Sequence, residues 1–469
     1  MSKVKNKKSN KLLMLIGSLS VGEVRAVRRH LYRHWPQAIP LFEHLQVEQL
    51  QGDQKKMLFK LLFPEASFSD LKLRHAFSDL VRHIESVLIS RKEKEEPLKD
   101  HLAQMSIYLD KNVEKGFLTA SKQFDKGFQD LSVKTSVHFR AAYQAENLRY
   151  RYYLAKAKRI EPESLNNALD YLEQAEILEK LKLYCALINS KSIIHTQFRT
   201  LDIESLLHRI HQKELDNQAL IRIYLGILES LRNPDNEANF YQVFDLLQSV
   251  APYLEREEAH ELYIYLLNFC IRKINMNGRF LQESFDIYRT MIEQELLVRQ
   301  KYLSPWTFKN VVVNGLRLNE TDWVAQFIQD KLDWLPPESR KTAFHYNMAR
   351  YHFHIGQFDE VLSLLQQIEY EDIFYSLDAR ALLMKSYYEL DEFEAMYSLM
   401  DSFRILLRRK KGLSEKHRQN FANLIRFTRK ASRIHPGDSG KVKALLAELN
   451  DTPQIADIRW IRSKIEDLY

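Results

Sequence analysis

The sequence predicts an all-α protein in which pairs of helices are laid side by side, and three observations carry that expectation. Glycine and proline number only 12 each in 469 residues, against roughly 12% of an average chain for the two together. Strand reversals need residues that supply φ > 0 or a fixed φ, so few such residues mean long helices joined by short turns. Hydrophobic residues make up 45% of the chain and charged residues 28%, which provides a core and excludes a disordered polypeptide. Finally, apolar residues recur at helical spacing along the chain, and in its C-terminal half the pattern itself recurs.

Residues 1–11 read as a basic tail, with Lys3, Lys5, Lys7, Lys8 and Lys11 ahead of the apolar stretch Leu12 to Leu19. That outline resembles a secretory signal, but the stretch is short and no Ala-x-Ala site follows. Instead Ser20 and Glu23 have capping-box spacing for a second helix carrying Val24, Val27 and Leu31 on one face. Residues 12–96 form an N-terminal helical domain of about four short helices, broken at Pro36, Pro40, Gly52 and Pro64. The last begins near Ser69 and carries Leu73, Phe77, Leu80, Ile84 and Leu88 as one stripe; the charged run Arg91 to Glu96 and Pro97 mark a boundary. This segment resembles the N-terminal region of an uncharacterised bacterial family of large helical proteins. The likeness rests on the Leu-rich first helix, the Leu19-Ser20 start of the second, the Phe59-Lys60-Leu61-Leu62-Phe63-Pro64 run and the Leu73-Arg74 to Asp79-Leu80 helix. It implies a helical fold and no particular activity.

Residues 97–200 read as longer helices joining to the repeats, with Pro162-Glu163 opening one of them. The run Arg149-Tyr150-Arg151-Tyr152-Tyr153, with Lys156, Lys158 and Arg159 beyond, has aromatics interleaved with bases, as on a surface that stacks single-stranded nucleotides. Helical spacing favours a plainer arrangement, with Tyr143, Tyr150, Leu154 and Ala157 facing the core and the bases facing out.

Residues 201–433 are expected to hold degenerate helical repeats. An aromatic after a short polar turn recurs at Phe240, Phe280, Trp323, Phe358 and Phe393. Around the last two the match extends to both helices: Met348 with Leu383, Ala349 with Met384, His352 with Tyr387, Val361 with Met396, Leu365 with Met400, and Ile368 with Phe403. The turns are Gly356-Gln357-Phe358 and Asp391-Glu392-Phe393. This resembles the tetratricopeptide repeat, which implies a helix-hairpin solenoid with a partner-binding groove. Two departures stand out. The Met384–Met396 pair puts bulk where that family carries small residues, and the Trp323 unit slips about one residue, using Val324, Ile328 and Leu332. The loop His435-Pro436-Gly437-Asp438-Ser439-Gly440 then introduces capping helices over residues 434–469. The second is expected near Thr452-Pro453, with Ile455, Ile458, Ile461 and Ile465 on one face.

Motifs of catalysis do not emerge. No glycine-rich phosphate loop and no G-x-S-x-G elbow occurs, and Cys185 and Cys270 stand alone, as small buried hydrophobes of a reducing compartment. His30 and His34 lie one turn apart without an acid in register, and His260-Glu261 lacks the second histidine of a zinc-protease helix. His352 and His354 point to different sides of a helix. No enzyme activity, metal or cofactor is expected. No apolar run reaches the ~18 residues of a membrane span, and the expected location is the cytoplasm.

The feature that exceeds composition is charge. Between 404 and 433 stand Arg404, Arg408, Arg409, Lys410, Lys411, Lys416, Arg418, Arg426, Arg429, Lys430 and Arg433, with Glu415 the single acid. This local excess is larger than the +7 of the whole chain. Such a stripe could hold a phosphate backbone, an acidic protein surface or anionic lipid. It could also be a solvated face neutralised by nearby acids such as Glu389, Glu392 or Glu394. The function expected overall is a non-enzymatic scaffold binding a protein or peptide partner, with nucleic-acid binding through the stripe as the alternative.

Overall fold

The computed structural model describes residues 11–47, 55–94, 97–156, 163–191, 202–298, 301–366, 373–410 and 413–469. Among them the regular structure is helical throughout, with 23 α-helices and four short 3₁₀ turns. No helix among the described residues is long and apolar enough to cross a membrane. The chain divides into two compact units, residues 1–255 and 256–469, so the division falls inside the segment expected to hold the repeats.

The first unit opens with Lys11–Ser18, Val21–His34, Ile39–Val47 and Lys55–Leu62, which share a core with the long helix Asp70–Lys94. The capping box forms as its spacing implies: Ser20 N–H donates to Glu23 Oε2 at 2.7 Å, and Glu23 N–H donates to Ser20 Oγ at 3.3 Å. Leu73, Leu80 and Ile84 are buried, with Phe77 and Leu88 packed beside them. Pro40 does not break a helix. It sits in the first turn of Ile39–Val47, where its missing N–H has no intrahelical partner to lose.

Helices Pro97–Asp110, Glu114–Gln129, Ser136–Ala155, Glu163–Lys191, Ile203–Gln212, Ala219–Arg232 and Glu237–Val250 follow; Pro162 lies outside the described residues. The face of Ser136–Ala155 differs from the expectation. Tyr152 is the buried aromatic, stacked on Phe117 with ring centroids 4.6 Å apart, whereas Leu154 is exposed. Arg149 points inward, donating to Glu146, Asp125 and Ser121. Burial raises the pKa of Glu146, and Arg149 opposes that rise. The Arg149–Glu146 pair satisfies what would otherwise be an isolated charge on each side, and sequence periodicity cannot reveal such pairing. Ala157, Lys158 and Arg159 lie outside the described residues.

In the second unit each helix packs on its successor: Arg256–Asn277 on Leu281–Glu293, Pro305–Arg317 on Thr321–Asp330, Pro337–His354 on Phe358–Leu365, and Ile373–Glu389 on Phe393–Arg409. Pro337–His354 also touches both Pro305–Arg317 and Ile373–Glu389. The residues paired by sequence have the same burial: Ala349 and Met384, Val361 and Met396, and Leu365 and Met400 are buried, while His352 and Tyr387 are half-buried. Ile368 lies outside the described residues.

Three hairpins use one turn. Asn319, Gly356 and Asp391 take φ of 62°, 79° and 57°. The next N–H, of Glu320, Gln357 and Glu392, reaches back to the carbonyls of Gly315, His352 and Tyr387 at 3.0, 2.9 and 2.9 Å. This is the six-residue closure of a Schellman cap, whose left-handed position admits Gly, Asn and Asp.

Phe280, itself at φ 69°, precedes its helix Leu281–Glu293 instead of lying within it. The terminal helix begins at Ile458, later than Thr452-Pro453, because Gln454 and Asp457 adopt φ of 59° and 49° and interrupt the helical run. Ile461 and Ile465 are fully buried, but Ile458 is exposed.

Candidate anion-binding cleft

Helix Phe393–Arg409 buries Met396, Met400, Phe403 and Leu407, a 4-3-4 spacing that leaves Arg404 and Arg408 together on another face. Helix Glu415–Ala431 starts at Ser414, whose hydroxyl accepts from His417 N–H at 3.3 Å. It buries Phe421, Leu424, Ile425 and Thr428, so Arg418, Ala422 and Arg426 share its opposite side. Between the helices lies a cleft of about 360 Å³ lined by Arg404, Leu407, Arg408, Arg418, Gln419, Ala422, Asn423 and Arg426.

The structure sorts the ten candidate cations into three groups and leaves one aside. Arg429 donates to Asp401 Oδ1 at 2.6 Å, and Lys430 Nζ donates to both oxygens of Glu448 at 2.7 and 2.6 Å. These two cations are neutralised. Arg408, Arg409, Lys410 and Lys416 are exposed, and no carboxylate lies within ion-pair range of them among the described residues. Arg404, Arg418 and Arg426 are intermediate. Arg404 is 3.8 Å from Asp401, Arg418 is 3.5 Å from the exposed Glu415, and Arg426 is 3.7 Å from Glu448. Lys411 lies outside the described residues.

The acids that relieve the stripe are therefore Asp401 and Glu448. Glu389 is engaged elsewhere, accepting from Trp460 Nε1 at 2.7 Å and Lys464 Nζ at 3.0 Å. Burial lowers the pKa of Arg404, and the neighbouring Arg429 and Arg408 lower it further against the opposing pull of Asp401. Arg426 Nε is buried without a hydrogen-bond partner.

Two polar clusters escaped sequence reasoning. Lys385, 5% exposed, donates to Asp457 Oδ2 at 2.6 Å, and Lys309 donates to Asp378 Oδ2 at 2.5 Å. Lys385 also lies 4.7 Å from the Phe353 ring centroid, and Lys309 lies 4.6 Å from that of Trp306. Burial alone would raise the Asp457 pKa, but Lys385, Arg350 and Lys309 outweigh it and hold the carboxyl below its ordinary range.

In the first unit His83 joins the pair noted in the sequence. His30 Nε2 lies 3.1 Å from His83 Nδ1, with the His34 ring 4.5 Å from that of His30. Burial and the other two imidazoles lower the His30 pKa. Spacing of 53 residues hid this contact. His260 is buried, with Nδ1 2.8 Å from the Leu296 carbonyl. Cys185 and Cys270 are buried thiols, the former pushed up to about 12 by desolvation.

A larger cavity in the first unit, about 620 Å³, is lined by Leu98, Leu102, Leu131, Val137 and Leu254 with Lys99, His101, His138 and Arg140 among its polar residues. The His138 ring there caps its own helix through the N–H of Thr135 at 3.1 Å. Among the described residues no group of three or more histidine, cysteine or acidic side chains is disposed to hold a metal ion. Compared with protein-family models, curated proteins and solved structures, the chain matches none.

Proposed function

We propose that the chain is a non-enzymatic interaction protein of the cytoplasm, built on a tetratricopeptide-like stack of helix hairpins, whose C-terminal unit docks an acidic protein partner. The observation that carries this reading is the cleft between Phe393–Arg409 and Glu415–Ala431, where Arg404, Arg408, Arg418 and Arg426 converge around an open surface. The burial shared by Ala349 and Met384, and by Val361 and Met396, supports the stack, as does the turn shared by Asn319, Gly356 and Asp391. Buried, unpaired cysteines suit a reducing compartment. Stacked hairpins present continuous surface to partners without needing catalytic groups.

Fluorescence anisotropy with a labelled polyglutamate peptide tests the reading. Binding to the intact chain and its loss in the Arg408→Glu/Arg418→Glu variant are expected; binding that ignores both substitutions would remove the cleft from the function. The alternative, nucleic-acid binding, is favoured by the row of exposed cations Arg408, Arg409 and Lys410. It predicts duplex affinity falling with salt at a slope of about −0.9 per neutralised phosphate, and loss on changing Arg408, Arg409, Lys410 and Lys411 to Glu.

A further inference from the structure

From the way the carboxylates around the cleft are already engaged, we propose that its ligand is a phosphate monoester, carried as a phosphorylated side chain on the partner. The inference rests on the docking reading above and narrows it.

Two of the three acids near the cleft have a closer cation outside it. Asp401 faces Arg404 at 3.8 Å but accepts from Arg429 at 2.6 Å. Glu448 faces Arg426 at 3.7 Å, yet both its oxygens take Lys430 at 2.7 and 2.6 Å. Glu415, 82% exposed, meets Arg418 at 3.5 Å from the same helix, one turn away. Arg408 has no carboxylate among the described residues. The cleft thus gathers four guanidinium groups against three carboxylates, two of them shared with Arg429 and Lys430. Burial lowers the Arg404 pKa most, and the like charges of Arg429 and Arg408 add to that against the pull of Asp401.

A single carboxylate brings one negative charge and two oxygens, which leaves such a cluster strongly positive. A phosphate monoester brings a charge of about −1.5 to −2 at pH 7 and three acceptor oxygens. Guanidinium forks match those oxygens in pairs, whereas an ammonium offers only a point charge. The amides are poorer donors here: both Asn423 Nδ2 contacts go to the carbonyls of Pro453 and Gln454, and Gln419 Nε2 donates to Asn423 Oδ1. Recognition therefore falls to the arginines. The cations further along Glu415–Ala431, Arg429 and Lys430, are tied to Asp401 and Glu448, so on that side of the cleft the charge does not continue along the helix as a polymer backbone would require; Arg409, Lys410 and Lys416 add exposed charge outside the cleft lining.

The test is a titration of the full chain, followed by calorimetry and ³¹P resonance. The probes are a short phosphoserine peptide, the same peptide with serine or glutamate in its place, inorganic phosphate and a single-stranded oligonucleotide. The phosphoserine peptide is expected to bind at least about tenfold more tightly than the glutamate peptide. Its affinity should climb as pH rises through its second ionisation, near 6. Arg408→Gln and Arg408→Lys should each weaken it about tenfold, whereas Arg409→Gln, on the same helix outside the cleft lining, should not. Equal binding of the glutamate and phosphoserine peptides overturns the proposal and leaves acidic docking standing. Failure of every peptide overturns both. Tighter binding of inorganic phosphate than of the peptide assigns the cleft to a small free anion and overturns the partner. Tighter oligonucleotide binding that Arg409→Gln weakens as much as Arg408→Gln overturns it in favour of nucleic acid.

Discussion

Replacing Gly315 with alanine sets two effects of opposite sign against each other. Alanine is favoured over glycine inside a helix by about 1 kcal/mol, so propensity alone predicts stabilisation. The packing predicts the reverse. A Cβ on Gly315 would lie 2.6 Å from Val324 Cγ2, on the second helix of its own hairpin, and 3.1 Å from Phe285 Cε2, on the preceding hairpin. The first distance is about 1 Å inside ordinary carbon–carbon contact. Val324 is fully buried and β-branched, with little χ1 freedom, so the helices themselves must separate. Overpacking of this kind costs about 1–3 kcal/mol, and the severity of the clash places it at the upper end. The net expectation is a loss of about 2 kcal/mol, or roughly 4–8 °C in Tm for a unit of this size. Scanning calorimetry and urea titration of the full chain read it. Gly440→Ala is the internal control, because its nearest atom would be 3.7 Å away, and it should be neutral or slightly stabilising. Adding Val324→Ala to Gly315→Ala should recover part of the loss, with a coupling of about 0.5–3 kcal/mol. A Gly315→Ala protein as stable as the parent would refute the close approach of these helices, and with it the hairpin packing.

Two further outcomes follow from buried charge and paired imidazoles. Asp457→Ala leaves the Lys385 ammonium, 5% exposed, without its carboxylate; a loss of about 3 kcal/mol is expected at pH 7, with most of it regained in Lys385→Met/Asp457→Ala. Because the folded-state pKa of Asp457 lies below the unfolded value of 3.8, its contribution is complete above that value and is withdrawn as pH falls below it; denaturant curves at pH 7 and pH 3 for parent and variant should therefore converge at the acid end. The His30 pKa is lowered from 6.5 by burial, His34 and His83, so the unfolded chain binds that proton more readily and stability falls as pH drops through 6.5 toward the folded value. NMR titration should find the His30 imidazole below 6.5 and moved upward in His83→Gln; titration at or above 6.5 in the parent would contradict the contact.

What the sequence revealed depended on how far apart the interacting residues stand. Local signals were legible. Ser20 and Glu23 are three residues apart and form their box, and the stripe Leu73, Leu80, Ile84 lies on one face because helical periodicity dictates it. The aromatic register found the hairpins near Phe358 and Phe393, which open their second helices. It missed the small residue at Gly315, since in that unit the aromatic, Trp323, stands four residues after the turn at Asn319, whereas Phe358 and Phe393 stand two after theirs. The basic stripe was visible as composition, but which of its charges are satisfied was not. Asp401 and Glu448 reach Arg429 and Lys430 across 28 and 18 residues, and pairing at that range depends on how helices meet. Arg149 was likewise placed outside, when Asp125, 24 residues away, draws it in together with its close neighbour Glu146.

Several contacts in the second unit join residues about two hairpins apart. Tyr375 hydroxyl donates to the Pro305 carbonyl at 2.8 Å across 70 residues, Lys309 meets Asp378 across 69, and Lys385 meets Asp457 across 72. A stack held only by neighbour contacts would fray from its ends, one hairpin at a time. Bonds that skip a hairpin penalise such partial opening, because releasing the terminal helix at Asp457 also strands the ammonium of Lys385 in the interior. Amide hydrogens of Ile373–Glu389 and Ile458–Glu466 would then exchange in a single cooperative opening, giving the surface that carries the arginine cleft a mechanical stiffness beyond what its short-range packing supplies.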